Sequence, residues 1–303
     1  MRVFVAGGTG AIGRYAVSAL VAGGHTVSAL ARNEAKARLL RDLGATPVLV
    51  SLFDRCGLAA AFTGHEAVAN LASALPSPQR FILKSAWAEC QRIRTEGSAA
   101  VVDAAIEAGV SRLVQESVVM IYRDGGSRPL DEDCPTDHYP NAVGNHAAES
   151  NAGRLRGSGC AAVVLRFGIF YGRGAAHSEQ IMAMARRHVG FQPGRPNGFV
   201  SSIHLRDAAG AVVAALDCVP GTYNVVDDEP VTARDNTLAM ADAVDARPWV
   251  IGPGRLALLL GDRTTSMTRS LRISNARFRS VTKWKPVYPS VREGYRAMAN
   301  AQD

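Results

Sequence analysis

The chain has 303 residues, 47% of them apolar, and a formal charge of +7 from 34 basic against 27 acidic side chains. That apolar share supplies a buried core and excludes a disordered chain. The basic excess is nearly all arginine, scattered without interleaved aromatics, which excludes a nucleic-acid stripe and leaves solubility and anionic small ligands as its uses.

Arg2–Ala6 reads as a short buried strand, Gly7, Gly10 and Gly13 follow at three-residue spacing, and Ala11–Ala22 reads as a helix. A strand, a glycine turn and a helix in this order form a dinucleotide-phosphate cradle. Gly7 allows the turn, Gly10 admits the pyrophosphate, and Gly13 lets helix pack on strand. The helix start at Thr9, Ala11, Ile12 and Arg14 offers N–H groups and a positive dipole end to the phosphates. The plain alternative is a strand–turn–helix that binds nothing. A second strand, Thr26–Ala31, ends at Arg32 and Asn33, where an NAD site usually has an acid. Arg32 can fork onto a 2′-phosphate, and Arg14 could reach the same group, so NADP(H) is the expected cofactor and NAD(H) the alternative.

Further strands are predicted at Pro47–Val50, Ala67–Leu71, Arg112–Ser117 and Ala161–Arg166, with long helices over Ser85–Ala108 and Ala142–Gly157. Strands alternating with helices specify an α/β Rossmann-type fold, a doubly wound parallel sheet. After Gly172 the alternation breaks down into a helix (His177–His188), a strand (Phe199–His204), a helix (Asp207–Leu216), a strand (Tyr223–Val226) and a helix (Ala233–Asp245). We expect residues 1–172, rejoined by 201–219, to form the dinucleotide-binding domain. Residues 173–200 and 220–303 should form a smaller, discontinuous substrate or lid domain. Cys56, Cys90, Cys134, Cys160 and Cys218 lack metal-type spacing, and no apolar run approaches about 18 residues, so neither a metal nor a membrane partner is expected. Reduced thiols, and a chain that starts directly on a strand with no room for a signal peptide, predict a cytoplasmic protein.

These residues resemble the extended and atypical short-chain dehydrogenase/reductase superfamily. Gly7 to Gly13 matches its glycine turn, and Leu52-Phe53-Asp54 resembles its third-strand end near the adenine. Asn70-Leu71-Ala72-Ser73 resembles the fourth-strand end beside the ribose. Leu165-Arg166-Phe167-Gly168-Ile169-Phe170-Tyr171-Gly172 resembles the stretch that approaches the nicotinamide. Ile203-His204-Leu205-Arg206-Asp207-Ala208 and Trp284-Lys285-Pro286 resemble later motifs. The resemblance implies cofactor contacts at Leu52, Leu71, Ala72, Ser73, Phe167, Gly168 and Ile169.

The resemblance fails at the chemistry. The superfamily's Ser, Tyr, Lys and Asn positions hold Val118, Asn141, Asn145 and Arg94. Val118 has no proton to give, and an asparagine hydrogen-bonds without acting as an acid near neutral pH. The candidate site residues are therefore Ser117, Asn141, Asn145 and Tyr139, with Tyr139 and Ser117 depending on whether they turn toward the substrate. His146 reads as lying on another helix face, and His204 as a packed or surface histidine.

Losing an acid forfeits roughly 10²–10⁴-fold, less than orientation of the reactants can supply. A phenol beside a ketone also carries its own proton donor. The expected activity is an NADPH-dependent ketoreductase of secondary metabolism acting on a polycyclic aromatic ketone, similar to the atypical ketoreductases of angucyclinone tailoring. Leu256–Leu260, Met267, Met182 and Met184 could line its cleft, with core packing the plainer reading of each. A non-catalytic NADP-binding sensor or scaffold and, more remotely, a sugar-nucleotide epimerase are the alternatives. The only partner expected is the small-molecule substrate, and the chain is either a monomer or a homodimer.

Overall fold

The computed structural model describes residues 1–155 and 159–300. The predicted helix end at Gly157 lies outside them. The first half runs β1 (Arg2–Ala6), α1 (Ala11–Ala22), β2 (Thr26–Ala31), α2 (Glu34–Asp42), β3 (Thr46–Leu49), α3 (Arg55–Phe62) and β4 (Ala67–Asn70). It continues through α4 (Ala88–Arg92), α5 (Ser98–Glu107), β5 (Arg112–Val118), α6 (Val143–Gly153) and β6 (Ala161–Phe167). Together with β7 (Gly221–Val225), these strands form one parallel sheet in the order β7-β6-β5-β4-β1-β2-β3. The strand order reverses between β1 and β4, so a crevice opens there beyond their carboxyl ends.

Side chains on β1 alternate between the two faces of the sheet. Val3 and Val5 join the core under α1 and α8 (Leu205–Ala214), whereas Phe4 packs with Leu58, Phe62, Leu113 and Val164 under α3 and α5. Residues 203–216 thus pack on the main sheet. Gly221–Val225, assigned above to the smaller part, is the main sheet's edge strand beside β6. A period-two pattern identifies a strand without saying which sheet takes it.

The helix predicted over Ser85–Ala108 follows one path but is not uniform. A 3₁₀ turn at Lys84–Trp87 leads into α4, and a π-helical turn at Ile93–Gly97 separates α4 from α5. The π turn carries one extra residue and turns the Arg94 side chain into the interior, where it is 5% exposed.

The strand predicted over Phe199–His204 is two strands. Phe199–Val200 pairs antiparallel with Val231–Thr232, and Ser202–His204 pairs parallel with Ile169–Tyr171. Ser201 breaks the run because its hydroxyl donates to Leu271 O (2.8 Å) and accepts from Ile273 N (3.0 Å). Val189–Pro193 pairs with Val250–Gly254. The remaining helices are α7 (Ala176–Ala185), α9 (Ala233–Asp242), α10 (Thr265–Thr268), α11 (Ala276–Val281) and α12 (Val291–Asn300). Met182 is core packing with Tyr171, Met240 and Tyr295 between α7, α9 and α12. Among the described residues no helix is long and apolar enough to cross a membrane, and no cluster of ligating side chains could hold a metal ion.

Two of the quoted motifs fasten this part together. Asp207 on α8 accepts from Val287 N (2.8 Å) and Tyr288 N (3.0 Å), and its carbonyl accepts from Trp284 Nε1 (3.0 Å). His204 caps α8, its Nδ1 accepting from Arg206 N (3.1 Å), with its ring between Tyr171 and Tyr288. Burial, with Arg206 adding to it, lowers the His204 pKa to about 4. Between about pH 6.5, where an unfolded histidine titrates, and about pH 4, the unfolded chain binds a proton that the folded chain does not. Stability is therefore lost as pH falls through that window, by at most about 3 kcal/mol from this residue. Denaturation midpoints of His204→Gln should fall less steeply than those of the unmutated protein over this range. Parallel curves would refute the assignment.

Candidate active site

The glycine turn has the shape of a phosphate cradle. Gly7 has φ +83°, and a Cβ there would lie 2.5 Å from the Leu71 carbonyl. A Cβ on Gly13 would run into the Gly7 carbonyl oxygen. Gly10 differs: its N–H donates to Gly7 O (3.0 Å), and a Cβ there would meet only that oxygen, at 3.3 Å. No side chain caps α1, so its first N–H groups remain available to an anion. Thr9 and Ala11 are half-buried, while the Ile12 side chain belongs to the core and offers only its backbone.

Arg32 is exposed at the end of β2, and no hydrogen bond or ion pair engages it among the described residues. Asn33 beside it caps α2 by accepting from Lys36 N (3.0 Å). The nearest acid in sequence, Glu34, is held by Arg41 (2.7 Å). Arg32 therefore has no carboxylate partner among the described residues and can meet a phosphate dianion. Arg14 extends to the 172–174 turn, where a Cβ on Gly174 would meet its Nη2, and its Nε is enclosed without a partner.

The other expected cofactor residues have the following surroundings. Leu52 packs on Gly97, and Phe53 lies under the Arg92 guanidinium (4.0 Å). Asp54 is occupied as the cap of α3, accepting from Gly57 N (3.0 Å). Leu71 is buried at the end of β4 with its N–H on Ala6 O (2.9 Å), Ala72 is half-buried and Ser73 is exposed. Phe167 is buried, Gly168 packs under Ser201 and Ser202, and Ile169 is half-buried. A glycine cradle, an uncapped helix start and an unpaired arginine together fit a phosphorylated dinucleotide.

Two polar clusters hold three of the residues singled out in the sequence, Arg94 and Asn145 in one and Ser117 in the other. In the first, Arg94 donates through Nη1 to Asn145 Oδ1 (2.8 Å) and through Nη2 to Glu116 Oε1 (2.8 Å). Both Asn145 and Glu116 are buried, and Asn145 Nδ2 is enclosed without a partner. Burial pushes the Glu116 carboxyl up, against the pull of Arg94. In the second, Ser117 donates to Glu149 Oε1 (2.6 Å), and Glu149 pairs bidentately with Arg166 (2.8 and 2.7 Å). Arg166 Nη1 donates to the Tyr122 hydroxyl (2.7 Å), which donates to Asn224 Oδ1 (2.9 Å). Burial raises the Tyr122 pKa to about 12.

Two of the sequence candidates are thereby accounted for. Ser117 faces α6 and is committed to Glu149. Asn145 is committed to Arg94. Tyr139 is committed as well: its hydroxyl donates to Met120 O (3.0 Å), Arg269 lies over its ring at 4.8 Å, and burial pushes its pKa to about 12. Asn141 is different. It is 9% exposed, makes no hydrogen bond through its side chain among the described residues, and is not one of the fully enclosed unpaired groups, so its amide remains uncommitted. Gln91 sets this corner, accepting from Gly144 N (2.6 Å) and donating to Pro140 O (3.0 Å). His146 bonds Asp137 O through Nε2 (2.9 Å) and stacks on His138 at 4.0 Å, a packing role like that of His204.

Sequence reasoning did not identify Glu116, Glu149 and Arg166 as a linked set. The available signal was a charge in the middle of each of two neighbouring buried strands, which is tolerated only when the charges are paired.

Comparison with known proteins places the chain among nucleotide-binding reductases. A family model described as NAD(P)H-binding matches residues 7–218. A "3-diazoavenalumate denitrifying reductase" of Streptomyces sp is 35% identical over 97% of this chain and 99% of its own. A "4-hydroxy-2-methyl-3-oxo-4-farnesyl-3,4-dihydroquinoline-1-oxide ketoreductase" of Stigmatella aurantiaca is 33% identical over 77% of this chain and 70% of its own. The crystal structure of human epimerase family protein SDR39U1 with NADPH superposes with a TM-score of 0.86 at 24% identity, covering 100% of both chains, which shows a shared fold.

The glycines should separate in their effects. Gly10→Ala has room to fold and should weaken dinucleotide binding at least tenfold by titration calorimetry. Gly13→Ala should fail to fold. Equal cofactor affinity in Gly10→Ala would place the phosphates elsewhere.

Proposed function

The chain belongs to the NAD(P)H-binding family of atypical short-chain dehydrogenase/reductases, and from that premise we propose that it is an NADPH-dependent reductase of a polycyclic, phenol-bearing aromatic ketone in secondary metabolism. The single observation behind the reading is that the glycine cradle and an uncapped helix start are present while the candidate donors Ser117 and Tyr139, and Asn145, are already committed within the chain. Bound NADPH would supply a hydride. Gly7, Gly10, Gly13 and the start of α1 would hold its pyrophosphate, and Arg32 a 2′-phosphate. The rest of the chain positions the substrate and excludes water. Asn141 offers a neutral amide that can donate to a substrate oxygen or accept from its phenol without titrating. Val118 beside it offers nothing polar. The proton then comes from the substrate's own hydroxyl, intramolecularly bonded to the carbonyl.

Two relatives support a reductive role, and their names differ in the group reduced, a diazo compound in one and a ketone in the other. A diazoarene is therefore the second substrate class to test. The committed donors also favour one non-catalytic reading, an NADP-binding sensor. The sugar-nucleotide epimerases among the structural neighbours share the fold at under 25% identity, which says nothing of chemistry.

Loss of NADPH absorbance should be followed with hydroxylated polycyclic ketones, single-ring ketones and diazoarenes. Turnover of the polycyclic ketones is the expected result, and tight NADPH binding with no turnover of any class favours the sensor. Asn141→Ala should cost about 10–100-fold in kcat/KM, the worth of one orienting hydrogen bond. A loss beyond about 10³-fold would mean that the amide takes part in proton transfer. Arg32→Ala should weaken NADPH binding far more than NADH binding, and an unmutated protein with equal affinity for the two would refute the NADP assignment.

A further inference from the structure

Asp227 follows β7 and is 2% exposed. Its N–H donates to Ser202 O (2.8 Å), which fixes it beside the Ser202–His204 strand. Its Oδ1 is enclosed without a hydrogen bond, and among the described residues no lysine or arginine pairs with it. The groups around it make a negative charge costly. Asp207 on α8 is a second buried acid, and Asp228, next in sequence, is held by Arg279 (2.9 Å). His204 is uncharged above about pH 4, and Tyr295 on α12 donates to Asn236 Oδ1 (2.9 Å). Burial pushes the Asp227 carboxyl well above the usual carboxylate range, with Asp207 adding to it, against the pull of the Tyr171 hydroxyl and the His204 backbone.

Proton counting leads to the same state from geometry alone. The Tyr171 hydroxyl stands 3.1 Å from Asp227 Oδ2 and 3.3 Å from Ser290 O. Tyr171 has one proton to give, and a peptide carbonyl can only accept. An ionised Asp227 would also only accept, so two buried acceptors would compete for that one proton. A protonated Asp227 serves every group: its O–H donates to the Tyr171 oxygen, and Tyr171 donates to Ser290 O. Oδ1 is then a neutral carbonyl oxygen, whose burial costs far less than that of a charge.

Ser290 begins α12. Its N–H and Oγ donate to Glu293 Oε2 (3.1 and 2.6 Å), and its carbonyl takes the first helical N–H, that of Gly294 (3.2 Å). A Cβ on Gly294 would run into the Tyr171 ring, so strand and helix meet closely at this point.

We propose that Asp227 is a neutral acid at physiological pH that donates to Tyr171, which donates to Ser290, and that this three-group latch ties the start of α12 to the Ile169–Tyr171 strand until the acid ionises. The strand continues from Gly168 and Ile169, so the latch steadies the stretch proposed to lie along the cofactor. It is a property of the folded chain with or without substrate.

The test uses the whole chain, labelled with ¹³C at its aspartate carboxyls, and two variants. Asp227→Asn keeps a donor to Tyr171 and cannot ionise, and Tyr171→Phe removes the middle of the latch. Infrared spectra at about pH 7 should show the stretch of a protonated aspartic acid, absent from Asp227→Asn and shifted in Tyr171→Phe, where the acid loses the oxygen it donates to. A spectrum with carboxylate bands alone overturns the proposal, as does a protonated band that both variants leave unmoved. The Gly294 amide should exchange with deuterium at least about tenfold faster in Tyr171→Phe, and unchanged exchange overturns the latch. Stability gives a separate reading. An unfolded aspartate gives up its proton near about pH 3.9, whereas folded Asp227 keeps it. Between about pH 5 and 8 the folding equilibrium of the unmutated chain should therefore fall relative to that of Asp227→Asn, by about tenfold per pH unit until the folded acid ionises. Parallel stabilities across this range mean that folded Asp227 is ionised and overturn the proposal. If Asp227→Asn does not fold, the labelled band and its shift in Tyr171→Phe decide alone.

Discussion

The Arg166–Glu149 pair is the interaction on which the site depends. Taking these two charges out of water costs several kcal/mol per ion, and the cost is offset only by near-complete partnering. Two parallel contacts join the guanidinium to the carboxylate, Ser117 donates to Glu149, and Tyr122 accepts from Arg166. The pair therefore fixes β5, β6, α6 and the turn after β5 relative to one another. Removing either partner leaves a buried charge with nothing opposite it, so these four elements stand or fall together. The Arg94–Glu116–Asn145 cluster does the same between the π turn, β5 and α6.

These clusters give the site its chemical character. A tyrosine and lysine in the usual positions form a proton-conducting pair exposed to substrate. Here Arg94 joins Asn145 to Glu116, and Arg166 joins Glu149, which also holds Ser117. Such a floor ties β5, α6 and the π turn together, so it can hold a fixed geometry with its side chains already engaged. Orientation is the larger of the two contributions in general, which is why such an arrangement remains compatible with hydride transfer.

The glycine turn, the alternating strands and the missing acid after β2 were legible because each is a local signal with a local cause: a φ above zero, a period of two, a residue type at a strand end. Most strand and helix ends agree with the pattern to within a few residues. The failures were non-local. Ser201 splits a strand because its hydroxyl serves Leu271 and Ile273, some seventy residues away in sequence. The sheet that receives Gly221–Val225 is decided by β6, not by its own sequence. Position counting singled out Arg94, Val118, Asn141 and Asn145 but could not show that Asn145 is tied to Arg94, because that depends on which side chains reach its amide. The leucines of the 256–260 run could be core or surface on pattern alone, and only the packing decides.

The π turn at Ile93–Gly97 acts as a phase coupler between the two ends of one helical path. Each residue of an α-helix advances its face by about 100°, so a path shortened by the one inserted residue would turn α4 by that angle relative to α5. Gln91 would then point away from Pro140 and Gly144, and the start of α6 would lose the contacts that set the direction of Asn141. A single-residue deletion in this turn, with no site residue changed, would retune the angle at which the cleft meets its ligand.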